Sequence, residues 1–147
     1  ALVFFLFCLS GCGPKEKLDV SSEPEFKHVI GLTFTSSMEL SVRGYTLNLN
    51  GKREVDYVTL LPITSRASSG NQTIFAGTLP SHQHFKIVGI LQSYYYASDL
   101  YYVVKITGDE KYNEYTLIIA LSEDINSTHF GLDPHAFNFD KEPKESE

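Results

Sequence analysis

His82 and His84 are the first side chains whose type and spacing suggest chemistry. Two apart at the start of an extended run, they would point to one face, a spacing that can serve a metal ion. Lys86 follows on the same face and opposes a second cation there. His129 and His135 stand in a different segment, and no third ligand can be assigned. The pair reads as a solvated strand end, so neither a metal nor another cofactor is expected. Asp133-Pro134-His135 has the residue types of an acid–base pair, but proline presets a turn there. Ser65, Ser68 and Ser69 have no G-x-S-x-G frame around them and read as loop. The sequence holds no Gly-rich phosphate loop and no H-E-x-x-H helix. These patterns point away from catalysis.

The tyrosines point elsewhere. Tyr94, Tyr95, Tyr96, Tyr101, Tyr102, Tyr112 and Tyr115 crowd one stretch of chain. Tyr102 continues the apolar face of a strand and belongs to the core. Three consecutive tyrosines cannot all face one way in an extended segment. An exposed tyrosine offers a large, stiff contact surface with a polar tip, as at protein interfaces and sugar-stacking sites. Tyr94, Tyr95, Tyr96 and Tyr101 are therefore the candidate ligand-binding residues.

The apolar run from Ala1 to Leu9 ends in Leu9-Ser10-Gly11-Cys12. As a helix this run covers about 14 Å, too little for a bilayer core of about 30 Å. It has the size of a signal-peptide h-region. The four residues that close it resemble the lipobox of bacterial lipoprotein precursors. The resemblance implies that residues 1–11 are a signal peptide cut off before Cys12. It also implies that Cys12 carries a thioether-linked diacylglycerol and holds the protein to a membrane. In the enterobacterial sorting pattern, Gly13 in place of Asp implies the outer membrane, facing the periplasm, for a Gram-negative source.

With Cys8 lost to the signal and Cys12 consumed by lipid, the mature chain has no thiol for a disulfide, nucleophile or thiolate metal site. An exported domain of this kind must be stable through its core alone. The net charge is −6 and the cations are scattered. A nucleic-acid partner needs a basic stripe to replace counterions, so none is expected.

Residues 12–27 are rich in charge, proline and serine and read as a lipidated tether. Residues 28–139 form the domain, and 140–147 a disordered charged tail. Within the domain, period-two runs mark strands at Tyr45–Leu49, Glu54–Ile63, Thr73–Leu79, His84–Leu91, Tyr101–Thr107 and Tyr115–Leu121. No stretch sustains helical periodicity. The fold class expected is all-β, a small antiparallel barrel or sandwich of six or seven short strands. Between the first two runs, a two-residue Asn50-Gly51 loop would set Leu47 opposite Glu54. A three-residue loop over Asn50-Gly51-Lys52 removes that clash and puts Tyr45 and Val55 on one face.

A lipid-anchored module that binds or scaffolds, and does not catalyse, fits these features best. Its partner would be an envelope protein or glycan. Two other classes are open. An inhibitor of a cell-wall-degrading enzyme would project the Ser65–Gln72 loop. A small envelope hydrolase would bring His28, His82 or His129 against a serine and a carboxylate in a cleft.

The lipobox generates the first prediction. Cys12→Ser removes the acceptor thiol, and the protein should leave the membrane fraction. With Cys12 in place it should stay with membranes in high salt and partition into detergent, because several acyl chains make a lasting anchor. Recovery of the unsubstituted protein in the soluble fraction would refute the anchor.

Overall fold

The computed structural model describes residues 17–47, 50, 54–65, 72–94, 96, 98–108 and 111–140. Alternating apolar side chains build nine strands among them: β1 (Lys17–Asp19), β2 (Thr33–Ser36), β3 (Leu40–Tyr45), β4 (Tyr57–Pro62), β5 (Thr73–Leu79), β6 (His84–Ser93), β7 (Leu100–Thr107), β8 (Leu117–Ala120) and β9 (Phe137–Phe139). One turn of 3-10 helix, Pro24–Phe26, is the only helical element among the described residues. The protein is all-β, and no helix among these residues is long and apolar enough to cross a membrane.

The strands pair in the order β5-β3-β4-β8-β7-β6-β2-β9, with β1 added beside β6. Three features differ from the sequence expectation. There are nine strands among the described residues rather than six or seven, because β1, β2 and β9 are too short to show a period. The sheet is mixed: β4 and β8 run parallel, with Val58 beside Leu117 and Thr59 beside Ile118. The ladder path is also open at β5 and β9, so neither a closed barrel nor a sandwich is formed by ladder pairing.

The two ends of the path are nevertheless held together. Residues 37–39 link β2 to β3, and residues 80–83 link β5 to β6. One register runs through both links. Thr35 faces His84, and Leu40, five residues on, faces Leu79, five residues back. The strands thus form one antiparallel ladder bent at a corner. Ser36 fastens the corner. Its N–H donates to the Gln83 carbonyl (3.0 Å), and its carbonyl accepts from the His82 N–H (2.8 Å). Its hydroxyl accepts from the Gln83 N–H (3.0 Å). The bend turns the apolar face of every long strand toward one cluster, which includes Phe34, Val42, Leu60, Leu79, Phe85, Tyr102, Leu117 and Phe137.

A bulge refines the pattern in β6. The register shifts between Ile87 and Gly89, so Val88 faces solvent and Ile90 joins Phe85 and Ile87 in the core. Strict alternation assigns that place to Leu91. The bulge adds one residue and exchanges the two faces beyond it.

The domain also begins earlier than its composition suggests. Residues 17–27 were expected in the tether, yet Lys17–Asp19 pairs with Leu91–Ser93, and Val20 and Phe26 are buried in the core. Asp19 accepts hydrogen bonds from the Ser21 hydroxyl and N–H. These bonds, the hydroxyl's first, hold its carboxyl below the ordinary range. The Ser21 hydroxyl in turn accepts the Ile90 N–H (2.9 Å) at the bulge. Apolar residues spaced among charges were enough to order a segment that looked too polar to fold.

At the other end of the chain, residues 122–139 pack over the sheet through Ile125, Leu132, Ala136 and Phe137. Tyr102 donates its hydroxyl to the Phe130 carbonyl, and burial pushes its phenol pKa far above the ordinary value. Gly131 has φ +83°, which suits glycine, and its carbonyl accepts the Ser122 N–H (2.8 Å).

The hairpin between β3 and β4 pairs Tyr45 with Tyr57. An odd number of residues separates this pair, but Val55, which lies before the ladder begins, packs against the core, whereas Tyr45 joins Lys17 on the outer face, so the two do not share a face. The paired segments sit further from the turn than the sequence suggested, at 40–45 and 57–62 rather than 45–49 and 54–63. Asp56 explains the early end of the ladder: its carboxylate, in place of a backbone carbonyl, accepts the Leu47 N–H (2.6 Å). Gly51 and Lys52 lie outside the described residues.

The corner generates the second prediction. Ser36→Ala leaves the half-buried Gln83 N–H without its side-chain acceptor. Loss of such a partner costs about 1–3 kcal/mol, measurable by urea unfolding. An unchanged midpoint would show that the corner holds without the hydroxyl.

Candidate functional site

Two aromatic clusters stand outside the core. The first is on the outer face of the sheet. Tyr57 and Tyr101 flank Ile118 there, since Ile118 pairs with Thr59 on one side and Val103 on the other. The Lys17 ammonium bridges the rings. It lies 4.9 Å from the Tyr57 centroid, 4.7 Å from Tyr101 and 5.7 Å from Tyr45. It also donates to the Tyr45 hydroxyl at 3.1 Å. Ile118 is only 1% exposed although it faces away from Leu117 and Ile119. Each cation–π contact is worth about 0.5–1 kcal/mol near a surface. This cluster ties β1 to the sheet.

The second cluster is an open groove of about 310 Å³, lined by Phe75, Ala76, Lys111, Tyr112, Glu114 and Tyr115. Its floor is aromatic. Phe75 and Tyr112 stack with centroids 6.3 Å apart at 22°, and Tyr115 tilts against Phe75 at 5.6 Å. The Lys111 ammonium sits 5.2 Å from the centre of the Tyr112 ring. Loss of hydration, and then the hydrogen-bonded Glu114 carboxylate, raises the Tyr115 phenol pKa.

Local chemistry positions this floor. Phe75 faces inward opposite Gly44, and a Cβ at 44 would fall within the Phe75 ring. Gly77 likewise leaves room for the Tyr112 hydroxyl, 3.3 Å from where its Cβ would stand. Asn113 holds the loop after β7. Its Oδ1 accepts the Ile106 N–H (2.9 Å) and its Nδ2 donates to the Ile106 carbonyl (2.8 Å), as a neighbouring strand would. Lys105 donates to the Asn113 carbonyl at 2.9 Å. The groove can stack a flat apolar face while Glu114 accepts and Lys111 donates hydrogen bonds.

The sequence-derived residues are spread over several places. Tyr94 and Tyr96 lie in the β6–β7 connection, 61% and 66% exposed. Tyr101 joins the Lys17 cluster instead. Tyr95 and Cys12 lie outside the described residues, as does most of the Ser65–Gln72 loop. His84 Nδ1 is 3.2 Å from the Thr35 hydroxyl, and His82 is in the corner with φ +67°. Asp133-Pro134-His135 is a turn, in which Asp133 Oδ1 accepts the His135 N–H (2.9 Å). Among the described residues no three His, Cys, Asp or Glu side chains gather closely enough to hold a metal ion.

Sequence reasoning missed the groove. Tyr112 and Tyr115 were visible in the tyrosine-rich stretch, but Phe75 reaches them only through the fold. Gly44 and Gly77, on two apolar strands, were the available signal that side chains approach closely there. No family model, curated protein or solved structure matches this chain.

The groove generates the third prediction. Gly44→Ala should displace the Phe75 ring and destabilise by about 1–3 kcal/mol, the usual range for overpacking. Thermal unfolding and the aromatic NMR shifts of Phe75 and Tyr112 check it. Unmoved shifts would show that the floor is not set by this contact.

Proposed function

We propose that this protein is a lipid-anchored envelope module that binds a glycan and does not catalyse. Its anchor is the diacylglycerol on Cys12. Its place is the periplasmic face of the outer membrane where the source has one. The observation that carries the binding reading is the stacked Phe75–Tyr112 floor flanked by Lys111 and Glu114. A sugar ring presents an apolar C–H face that such a floor can stack, and hydroxyls that a carboxylate and an ammonium can bond. Among the described residues, the lining holds no serine, cysteine or histidine. The fold that carries the groove is read as barrel-like, with the bent β2–β3 and β5–β6 strands bringing together the ends of an open ladder path. The continuous register across the corner supports that description.

The fourth prediction tests the ligand. Isolated peptidoglycan and a glycan-free envelope protein extract are offered separately to the protein. Peptidoglycan should be captured, and Tyr112→Ala should weaken capture about tenfold, equivalent to about 1.4 kcal/mol. Melting curves show whether the variant is folded. Equal capture by a folded Tyr112→Ala protein, or capture from the protein extract alone, would overturn the glycan reading.

A further inference from the structure

We propose, building on lipidation at Cys12, that Leu18, Tyr94 and Tyr96 form a patch that rests on the lipid bilayer. Lys17 is the Cα partner of Ser93, so β1 begins beside the turn that follows β6. Cys12 is five residues before Lys17, and five residues span at most about 18 Å. The anchor is thereby confined to the end of the domain that carries this turn. The patch on that end is exposed: Leu18 at 44%, Tyr94 at 61% and Tyr96 at 66%.

The tether cannot lengthen without breaking β1 away. Its backbone pairs with β6, the Ser21 hydroxyl engages Asp19 and Ile90, and Lys17 is seated among three rings. Three hydrogen bonds link the described residues Ser93, Tyr96 and Asp99 of this turn. Ser93 donates its N–H to the Asp99 carbonyl (2.9 Å), and Asp99 donates to the Tyr96 carbonyl (3.0 Å). The Tyr96 N–H donates to the Ser93 hydroxyl (3.3 Å). Asp99 is the only charged residue from 93 to 100. Tyrosine favours the membrane–water interface, where its ring meets apolar chains and its hydroxyl meets headgroups. A macromolecular partner at this patch would have to enter a gap of at most about 18 Å between domain and bilayer. The lipid surface already lies within that distance. From Tyr101 to Thr107, β7 then carries the chain about 20 Å away, toward the Lys111–Tyr115 loop and its groove.

The chain contains no tryptophan, so Tyr96→Trp supplies a sole indole reporter. Lipidated Tyr96→Trp and Ile74→Trp proteins are each reconstituted into phosphatidylethanolamine–phosphatidylglycerol vesicles, with and without brominated acyl chains. Vesicle sedimentation is measured first. The indole at 96 should shift its emission to the blue and lose about half its intensity to brominated lipid, as expected at headgroup level. The indole at 74, on β5, should do neither. Sedimentation with an unquenched indole at 96 overturns the patch and leaves the anchor standing. Equal quenching at both positions also overturns it, because the contact would not be specific to this end. Failure to sediment overturns the anchor and the patch together.

Discussion

A sheet with one apolar face must cover that face, and here the sheet covers it by bending. The constraint is the corner where β2 runs into β3 beside β5 running into β6. Both links are short, and the register is unbroken across them. The strands on either side therefore have little freedom in how they face each other. Phe34 and Phe85 come to stack at 5.2 Å on one side of the corner. Leu40 and Leu79 pair on the other. Ser36 is the small polar residue that the bend needs. It is fully buried, and a larger side chain would stand where three hydrogen bonds close the corner. The core, the groove and the outer cluster all inherit their places from this bend.

The outer face shows how a charged segment can be structural. Lysine is a costly residue to hold in place because it loses much rotamer freedom. Lys17 is held among the faces of Tyr45, Tyr57 and Tyr101, and long charged side chains commonly lay their apolar stems along such surfaces. Ile118 gains cover in the same arrangement. The β6 bulge contributes from the other side, since Gly89 leaves a hypothetical Cβ only 3.0 Å from the Ser21 hydroxyl. Bulge, serine and lysine together attach the first described strand to the part of β6, Leu91–Ser93, that lies beyond its pairing with β2.

Much of this was legible in the sequence, and the failures have physical causes. The inward faces of β7 and β8 follow from alternation alone, as Tyr102, Val104 and Ile106 do. The odd hairpin register followed from refusing to place Leu47 against Glu54. Alternation failed in β6 because a bulge shifts the period by one residue, and Val88 carries no mark of that shift. Composition failed at residues 17–27 because charge counts outweighed Val20 and Phe26, whose burial depends on distant partners. The parallel β4–β8 pair could not be read locally at all, because parallel strands are joined through long connections. The groove failed for the same reason: Phe75 and Tyr115 are neighbours only after the corner has bent.

The tether argues most directly from structure to function. Fifteen disordered residues would reach about 50 Å and leave the domain free to tumble. On the proposed lipidation of Cys12, ordering from Lys17 onward would shorten the reach to about 18 Å and would fix which end of the domain meets the membrane. Orientation would then follow from backbone pairing rather than from any property of the lipid. The exposed Tyr94 and Tyr96 follow the β6 end that pairs with β1, while Tyr112 and Tyr115 of the aromatic floor follow the other end of β7. A flexible module samples its surroundings at random. A docked one would present a single face, and under the proposed anchor a ligand of the groove would lie within roughly one domain length of the membrane.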